Sequence, residues 1–348
     1  MRKELKTMGK GRNKTDFLKK LYLIAYEYYI NRKTQQEIAD QLGTNRVLIS
    51  RYLKQARELG LVEIKLRDPF LETEIIKEKL IERFELKDVF ITPFPFYEGG
   101  KNYHIGASLV GQILDELLLD GVNVGIGWGS TMEIISKNLV PTKKLKKTTF
   151  VPMTGGTNQL PHYFRTNDFV RNFSESYEAN AKYLFAPFYV EDPLQKEYLL
   201  ASDDLKEIIE IWKKLDIAIV GIGCYIQKSP LFQNKIFDEK YLKLLLESNV
   251  VGDVLTHFFD EEGVVINLEI YKYLVNISLD DFLKIDLRIG IAGGLQKVQS
   301  IIGALRGRLI NVLITDMETA EMILKNAQKK RKFDSIASRK IQKERKTK

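Results

Sequence analysis

Three glycine-bearing turns hold the residues best suited to chemistry. In Val124-Gly125-Ile126-Gly127-Trp128-Gly129-Ser130-Thr131 an apolar run leads into glycines and two hydroxyl residues just before a helical stretch. Glycine lets the backbone close on a ligand, and the free amides of a helix N-terminus, joined by the Ser130 and Thr131 hydroxyls, make a cradle for an anion. The P-loop lysine is absent and the glycine spacing is not the dinucleotide fingerprint, so the expected chemistry is phosphate binding without nucleotide hydrolysis. The same glycines also fit a tight turn with a Ser/Thr cap. Met153-Thr154-Gly155-Gly156-Thr157-Asn158 repeats the arrangement after another apolar run. In Gly293-Gly294-Leu295-Gln296-Lys297 a glycine pair opens a helix and sets a lysine in its first turn, where the helix dipole already places positive charge. An anionic ligand removes that conflict, and the three turns together predict a site for a phosphorylated small molecule.

A second set of residues suits a polyanion. Residues 1–66 carry 15 Lys+Arg against 7 Asp+Glu and residues 325–348 carry 11 against 2, while the 258 residues between carry 28 against 37. Basic ends on an acidic body point to a nucleic acid met by the ends, because distributed cations neutralise phosphates and release counterions. For the tail alone, solubilisation serves as well. Within the first segment, Arg46, Ser50, Arg51 and Lys54 fall on one side of a helical stretch, opposite Ile49, Leu53 and Ala56. Arg46 and Arg51 are the strongest candidates for base or phosphate contacts, since Arg bonds guanine bidentately or holds a phosphate.

Catalysis needs a general acid and base, and the candidate carboxylates are Asp253, Asp260, Asp316 and Glu318. Asp316 also fits a helix N-cap, and Asp253 a turn residue after Gly252. Cys224 is the single cysteine, which excludes an intrachain disulfide and a multi-cysteine zinc site, and His104, His162 and His257 are too scattered to pair on a metal. No metal or cofactor is expected. No stretch approaches eighteen apolar residues and no apolar segment follows the basic N-terminus, so the expectation is a cytoplasmic chain with no membrane partner.

These groups need elements to position them. At 348 residues, 44% hydrophobic and 29% charged, the chain is long enough for more than one folded domain and has none of the marks of disorder. Apolar residues from Asp16 to Tyr29 recur at helical spacing. Thr34-Gln35-Gln36-Glu37 is a capping box for a short second helix, Gly43 supplies a positive-φ turn, and Thr44 is expected to cap a third helix over Asn45–Leu59. Two short helices joined by a glycine turn, the second presenting Arg and Ser, form a helix-turn-helix whose second helix enters the major groove; Leu61–Leu66 alternates as a wing strand would. A purely structural three-helix bundle is the alternative. Asp68–Leu86 is expected to be a connecting helix. Beyond it, Val89–Thr92, Val122–Ile126, Thr149–Met153, Ile217–Ile222, Leu287–Ala292 and Ile310–Thr315 are expected strands. Helical stripes at Ile105–Leu119, Met132–Leu139, Phe173–Tyr183, Leu205–Lys214 and Leu295–Leu305 lie between them. Strands alternating with helices predict a doubly wound, mostly parallel α/β domain that binds ligands at its strand carboxyl ends.

Several motifs in order resemble the SorC family of bacterial sugar-responsive transcription regulators. They are Gln35-Gln36-Glu37-Ile38-Ala39 through Ile49-Ser50-Arg51, Val124–Thr131, Gly252-Asp253, Phe259-Asp260 with Gly263, Ala292-Gly293-Gly294 with Lys297, and Leu313-Ile314-Thr315-Asp316 with Thr319-Ala320. The resemblance spans about residues 16–324. It implies an operator-binding head in which Gln35, Thr44, Asn45, Arg46, Ser50, Arg51 and Lys54 face DNA. It also implies a Rossmann-like effector domain similar to the glucosamine-6-phosphate deaminase and ribose-5-phosphate isomerase folds. There Gly129, Ser130, Thr131 and Lys297 would hold the phosphate of a sugar-phosphate effector, with Gly127, Thr154, Gly155 and Gly156 also in the effector site and Asp253 on sugar hydroxyls. A homodimer or homotetramer on double-stranded operator DNA is implied as well. The domains would be 1–66 with its basic arm, a connecting helix over 67–88, the effector domain over 89–324 and a basic tail over 325–348. Asn45 and Val47 stand where the family more often has Ser and a small residue or Pro, so no operator sequence carries over. A sugar-phosphate isomerase or deaminase is the competing expectation, but it leaves residues 34–59 without a use.

Overall fold

The computed structural model describes residues 14–63, 69–97, 99–157, 161, 164–224, 231 and 239–327. The chain divides into two compact units, Met1–Pro69 and Phe70–Lys348.

The first unit is built on α1 (Lys14–Tyr29), α2 (Gln35–Leu42) and α3 (Arg46–Glu58). Leu21, Ile24 and Ala25 meet Ile38 and Ala39 and then Ile49, Leu53 and Ala56 in one small core, as their three- and four-residue spacing dictates. The capping box closes as its sequence implies: Glu37 N–H donates to Thr34 Oγ1 at 3.2 Å, and Thr34 N–H to Glu37 Oε2 at 2.8 Å. Gly43 takes φ +61° and stops α2. Asn45, not Thr44, caps α3, because its Oδ1 accepts from Leu48 N–H at 2.9 Å. Thr44 instead donates its own N–H back to Ala39 O at 2.9 Å, finishing the turn. In the expected wing, Leu61–Glu63 form a bend rather than a strand, and residues 64–66 lie outside the described residues. So do the basic arm 1–13, Asn158, His162 and the tail from residue 328 onward.

In the second unit α4 (Pro69–Phe84) ends two residues earlier than expected because Glu85 turns left-handed at φ +54°. The chain then runs β1 (Asp88–Thr92), α5 (Tyr103–Leu117), β2 (Asn123–Ile126), α6 (Ser130–Ser136), β3 (Thr149–Pro152), α7 (Thr166–Tyr177), β4 (Asn180–Ala181), α8 (Pro193–Ala201), α9 (Asp203–Trp212) and β5 (Ile217–Gly221). It continues with α10 (Glu239–Glu247), β6 (Val250–Val254), β7 (His257–Asp260), α11 (Leu279–Lys284), β8 (Leu287–Ile291), α12 (Val298–Arg306), β9 (Val312–Asp316) and a helix over 317–327. Strands β1-β9-β8-β5-β2-β3-β4 form one seven-stranded sheet, in that order, and every pairing in it is parallel. Successive strand residues face opposite sides: Ala218 and Val220 enter one core, Ile217 and Ile219 the other. Helices cover both faces, which is why these strands read as unbroken apolar runs rather than alternating ones. From β2 the chain adds β3 on one side and later returns to add β5 on the other. The switch point of the doubly wound sheet therefore lies between β2 and β5. No described helix is long and apolar enough to cross a membrane.

The strand β4 and the helices α8, α10 and α11 have no counterpart among the expected elements, and two further elements depart from expectation for a backbone reason. The helix placed at Phe173–Tyr183 begins at Thr166 and stops at Tyr177, where Glu178 adopts φ +50°. The antiparallel hairpin β6–β7 carries no sequence signal, because its turn puts Leu255 at φ +51° and Thr256 at φ +64°. Hairpin turns of that type ordinarily use Asn or Gly, and a β-branched residue there is an outlier.

Candidate functional site

In the first unit, α3 turns Ile49, Leu53 and Ala56 inward, so Arg46, Ser50, Arg51 and Lys54 face solvent. Lys54 pairs loosely with Glu58 at 3.7 Å. Gln35 and Thr44 are half-buried beside this face, and Asn45 spends its oxygen on the cap. Val47 stands 72% exposed between the two arginines and went unremarked among the contact candidates, since valine carries no charge to draw attention to it.

In the second unit the carboxyl ends of β2, β5 and β8 are adjacent. Gly129, at φ +116°, leads into α6 without a side-chain cap, and the first intrahelical bond runs from Glu133 N–H to Gly129 O at 3.0 Å. The amides of Ser130, Thr131 and Met132 thus have no acceptor within the helix. Ser130 is exposed and Thr131 buried. Gly127 uses its N–H in the sheet, donating to Ile219 O at 2.8 Å, and serves the turn by its lack of a side chain.

Across the switch point, Gly223 pairs with Asp253 as an isolated antiparallel bridge, its N–H donating to Asp253 O at 2.8 Å. A Cβ on Gly223 would lie 2.0 Å from Asp253 Oδ1, so only glycine admits the carboxylate there. The strained turn completes the placement. Thr256 N–H donates to Asp253 Oδ2 at 3.0 Å, while Asn276 Nδ2 holds Leu255 O at 3.2 Å and Thr256 Oγ1 at 3.3 Å. Strain of this kind is stored where a side chain must be aimed. Gly223 and Asn276 were invisible as site residues because their roles exist only through contacts distant in sequence, and Thr256 because its left-handed turn runs against its residue type.

Lys297 follows β8, the strand on the far side of β5 from β2. It ends a 3-10 turn (Leu295–Lys297) just ahead of α12, so its charge meets the positive end of that helix. Its field reaches Cys224 and Asp253. Burial lowers the Lys297 pKa and raises that of the Cys224 thiol. Burial also pushes Asp253 up to about 6, against the opposing pull of the Thr256 N–H and of Lys297. Among the described residues no carboxylate comes within ion-pair distance of Lys297. The adjacent ends of β2, β5 and β8 thus carry free amides, a hydroxyl, an ammonium outside any ion pair among the described residues and a carboxylate that feels its charge, a set of groups that suits an anion bearing hydroxyl groups.

The remaining candidates are dispersed. Gly155 donates to Val275 O at 2.7 Å and Gly156 to Ala186 O at 3.0 Å, so both amides are occupied by backbone. A Cβ on Gly155 would approach Pro187 O to 2.5 Å, and Thr154 is buried beneath it. Asp260 binds the amides of Glu262 at 3.0 Å and Val264 at 2.9 Å. Asp316 caps the 317–327 helix through Thr319 N–H at 3.0 Å and holds Gly294 N–H at 3.2 Å. These two carboxylates shape turns rather than face a substrate.

Residues 68–325 match the family described as a sugar-binding domain. The deoxyribonucleoside regulator of Bacillus subtilis is 32% identical over 299 residues, covering 85% of this chain and 94% of that protein. The chain belongs to the SorC family. The sorbitol operon regulator of Klebsiella pneumoniae is 29% identical over 316 residues, covering 89% of this chain and 99% of its own length. The crystal structure of the full-length Klebsiella SorC superposes with a TM-score of 0.65 at 28% identity, over 89% of this chain and 99% of that one. This SorC-family chain is a transcription regulator of sugar metabolism, and its parallel sheet is the family's sugar-binding fold.

One histidine of the regulator titrates far from its usual range. Burial drives His257 down to about 4 from 6.5, only partly opposed by its bond to Ile277 O. A histidine depressed by burial contributes stability that is present above its unfolded pKa of 6.5 and is lost as the pH falls toward 4. The regulator should therefore lose melting temperature across that window. His257→Gln should flatten the drop; an unchanged pH profile in that variant would show that another group carries it.

Proposed function

We propose that this regulator binds operator DNA through α3 and that a phosphorylated sugar at the β2–β5 switch point sets its DNA affinity. The observation that carries the proposal is Lys297, an ammonium in no ion pair among the described residues, which feels Asp253 and follows β8, the strand that β5 separates from β2 and the free amides of α6. Gly129, Ser130, Thr131 and Lys297 hold the phosphate, and Asp253 receives the sugar hydroxyls. Gly127, Thr154, Gly155 and Gly156 support the walls of that site. The protein works in the cytoplasm as a homodimer or homotetramer with no catalytic step, residues 1–66 forming the DNA head, 67–88 a connecting helix, 89–324 the effector domain and 325–348 a basic tail. A thermal-shift screen of sugar mono- and bisphosphates tests the effector half. A ligand at a hundred times its Kd stabilises by about 2.7 kcal/mol, a visible shift, and no response from any phosphorylated sugar would sink the assignment.

On DNA, Gln35, Thr44 and Asn45 approach the backbone while Arg46, Ser50, Arg51 and Lys54 reach into the groove. With a duplex selected in vitro from random sequence, Arg51→Ala should cost about 1–3 kcal/mol of affinity and leave effector binding intact. The salt dependence tells its target: a slope reduced by about one means a phosphate, an unchanged slope a base. Val47 supplies the apolar contact, against a thymine methyl. Replacing that thymine with deoxyuridine removes one methyl group and should weaken binding by about 0.8 kcal/mol, roughly fourfold, in the wild type and not in Val47→Ala. Equal losses in both proteins would place the methyl elsewhere.

A further inference from the structure

A cavity of about 480 Å³ lies in the second unit, and none of the residues assigned above to the effector lines it. That volume is ample for a small organic molecule. Leu200, Ile209, Trp212, Val265 and Leu279 give it apolar walls, contributed by α8, α9, the segment after β7 and α11. Trp212 presents its ring alone, since its indole N–H is already given to Pro152 O at 2.8 Å.

Apart from Asn267, which is exposed, the polar groups on the wall can be accounted for one by one. The Tyr271 hydroxyl donates to Ile266 O at 3.0 Å and accepts from Phe258 N–H at 3.2 Å. Asn276 is committed to the strained turn, as above. Asp281 accepts from the Ser278 hydroxyl at 2.8 Å and from Lys284 at 3.1 Å, so its charge is matched. Two groups are left with capacity to spare. Lys196 Nζ donates once, to Tyr271 O at 2.9 Å, and among the described residues no carboxylate reaches it. His257 donates Nε2–H to Ile277 O at 3.3 Å, the only role open to a ring nitrogen facing a carbonyl, which leaves Nδ1 as an acceptor. Burial lowers the Lys196 pKa, the penalty of a cation held beside apolar walls without a counter-ion.

From these contacts we infer a second ligand site, taking a small apolar carboxylic acid whose carboxylate meets Lys196, whose body fills the space against Trp212 and whose one hydrogen-bond donor reaches His257. The sugar-phosphate site is polar and this one is apolar, so the two do not compete for one class of molecule.

The probes are 4-hydroxyphenylacetate and its methyl ester, titrated by calorimetry into the full-length protein. The acid should bind saturably and the ester about tenfold or more weaker, the ratio expected from losing a bond to a charged group. Lys196→Met should weaken the acid by the same factor and leave the ester unchanged, and Leu279→Trp, which fills the cavity, should abolish both. Circular dichroism and an unchanged melting curve confirm that each variant folds. Lys297→Glu should leave acid binding as it is. The inference is overturned if neither probe binds at millimolar concentration, if acid and ester bind alike in the wild type, if Lys196→Met binds the acid as tightly as the wild type, or if Lys297→Glu abolishes acid binding, which would put the acid in the effector site.

Discussion

Lys297→Glu should abolish the response to phosphorylated sugars while leaving DNA binding at its unliganded level. Losing the ammonium removes a charge-assisted bond to phosphate of about 1.5–3 kcal/mol. The new carboxylate then adds repulsion, both against the phosphate dianion and against Asp253, whose field Lys297 already shares. Together these should lower effector affinity by at least about a hundredfold, and calorimetry with the best sugar phosphate reads it directly. Lys297→Met separates the parts, since it removes attraction without adding repulsion and should fall between wild type and Glu. Lys297 belongs to the second unit and the DNA-facing residues to the first, so a duplex should bind the variant normally. Loss of DNA binding together with a collapsed melting curve would mean damage to the fold, and full retention of sugar-phosphate affinity would remove Lys297 from the site.

The largest effect on stability is expected at Gly263. This residue turns the chain after β7 at φ +84°, and a Cβ there would lie 2.0 Å from Gly307 N and 2.5 Å from Gly303 O. Both obstacles are backbone at the end of α12, so neither yields by rotating a side chain. The left-handed conformation costs an L-residue about 1–2 kcal/mol and overpacking about 1–3 kcal/mol more. Gly263→Ala should thus destabilise by about 3 kcal/mol, a fall in Tm of about 6–12 °C for a unit of this size. Gly307→Ala probes the same contact from the other side with an ordinary φ of −73°, since its Cβ would meet Gly263 O at 2.3 Å. It should cost less than Gly263→Ala, and the double variant less than the two added. A Gly263→Ala protein that melts within a degree of wild type would show that the hairpin and α12 separate easily.

Local chemistry is why so much was legible in the linear chain. A capping box, a glycine at φ +61° and a three-four apolar spacing each act within one helical turn, so Thr34, Glu37, Gly43 and Ile49 announce the head without help from distant residues. The six long strands were legible for a related reason. A parallel sheet covered on both faces favours apolar residues on both sides of each strand, and runs such as Ile217–Gly221 or Val312–Ile314 can be little else. Gly129, Ser130 and Thr131 stood out as glycines and hydroxyls ahead of a helix, and Lys297 as a cation at a positive helix end.

What depended on tertiary structure was decided by contacts between segments far apart in the chain. Thr44 and Asn45 are both good capping residues, and only the backbone path after Gly43 gave the cap to Asn45. Gly155 and Gly156 look like a ligand turn until Val275 and Ala186 take their amides. The β6–β7 hairpin could not be foreseen, since Leu255 and Thr256 disfavour its turn and are held there by Asn276, twenty residues on. The sequence by itself determined the helical head, the six long strands and the glycine-bearing turns after three of them, because those follow from interactions spanning a few residues. Where each carboxylate sits was decided by the fold, because Asp253 gains its place from Gly223 and Thr256, and Asp316 spends its oxygens on Gly294 and Thr319.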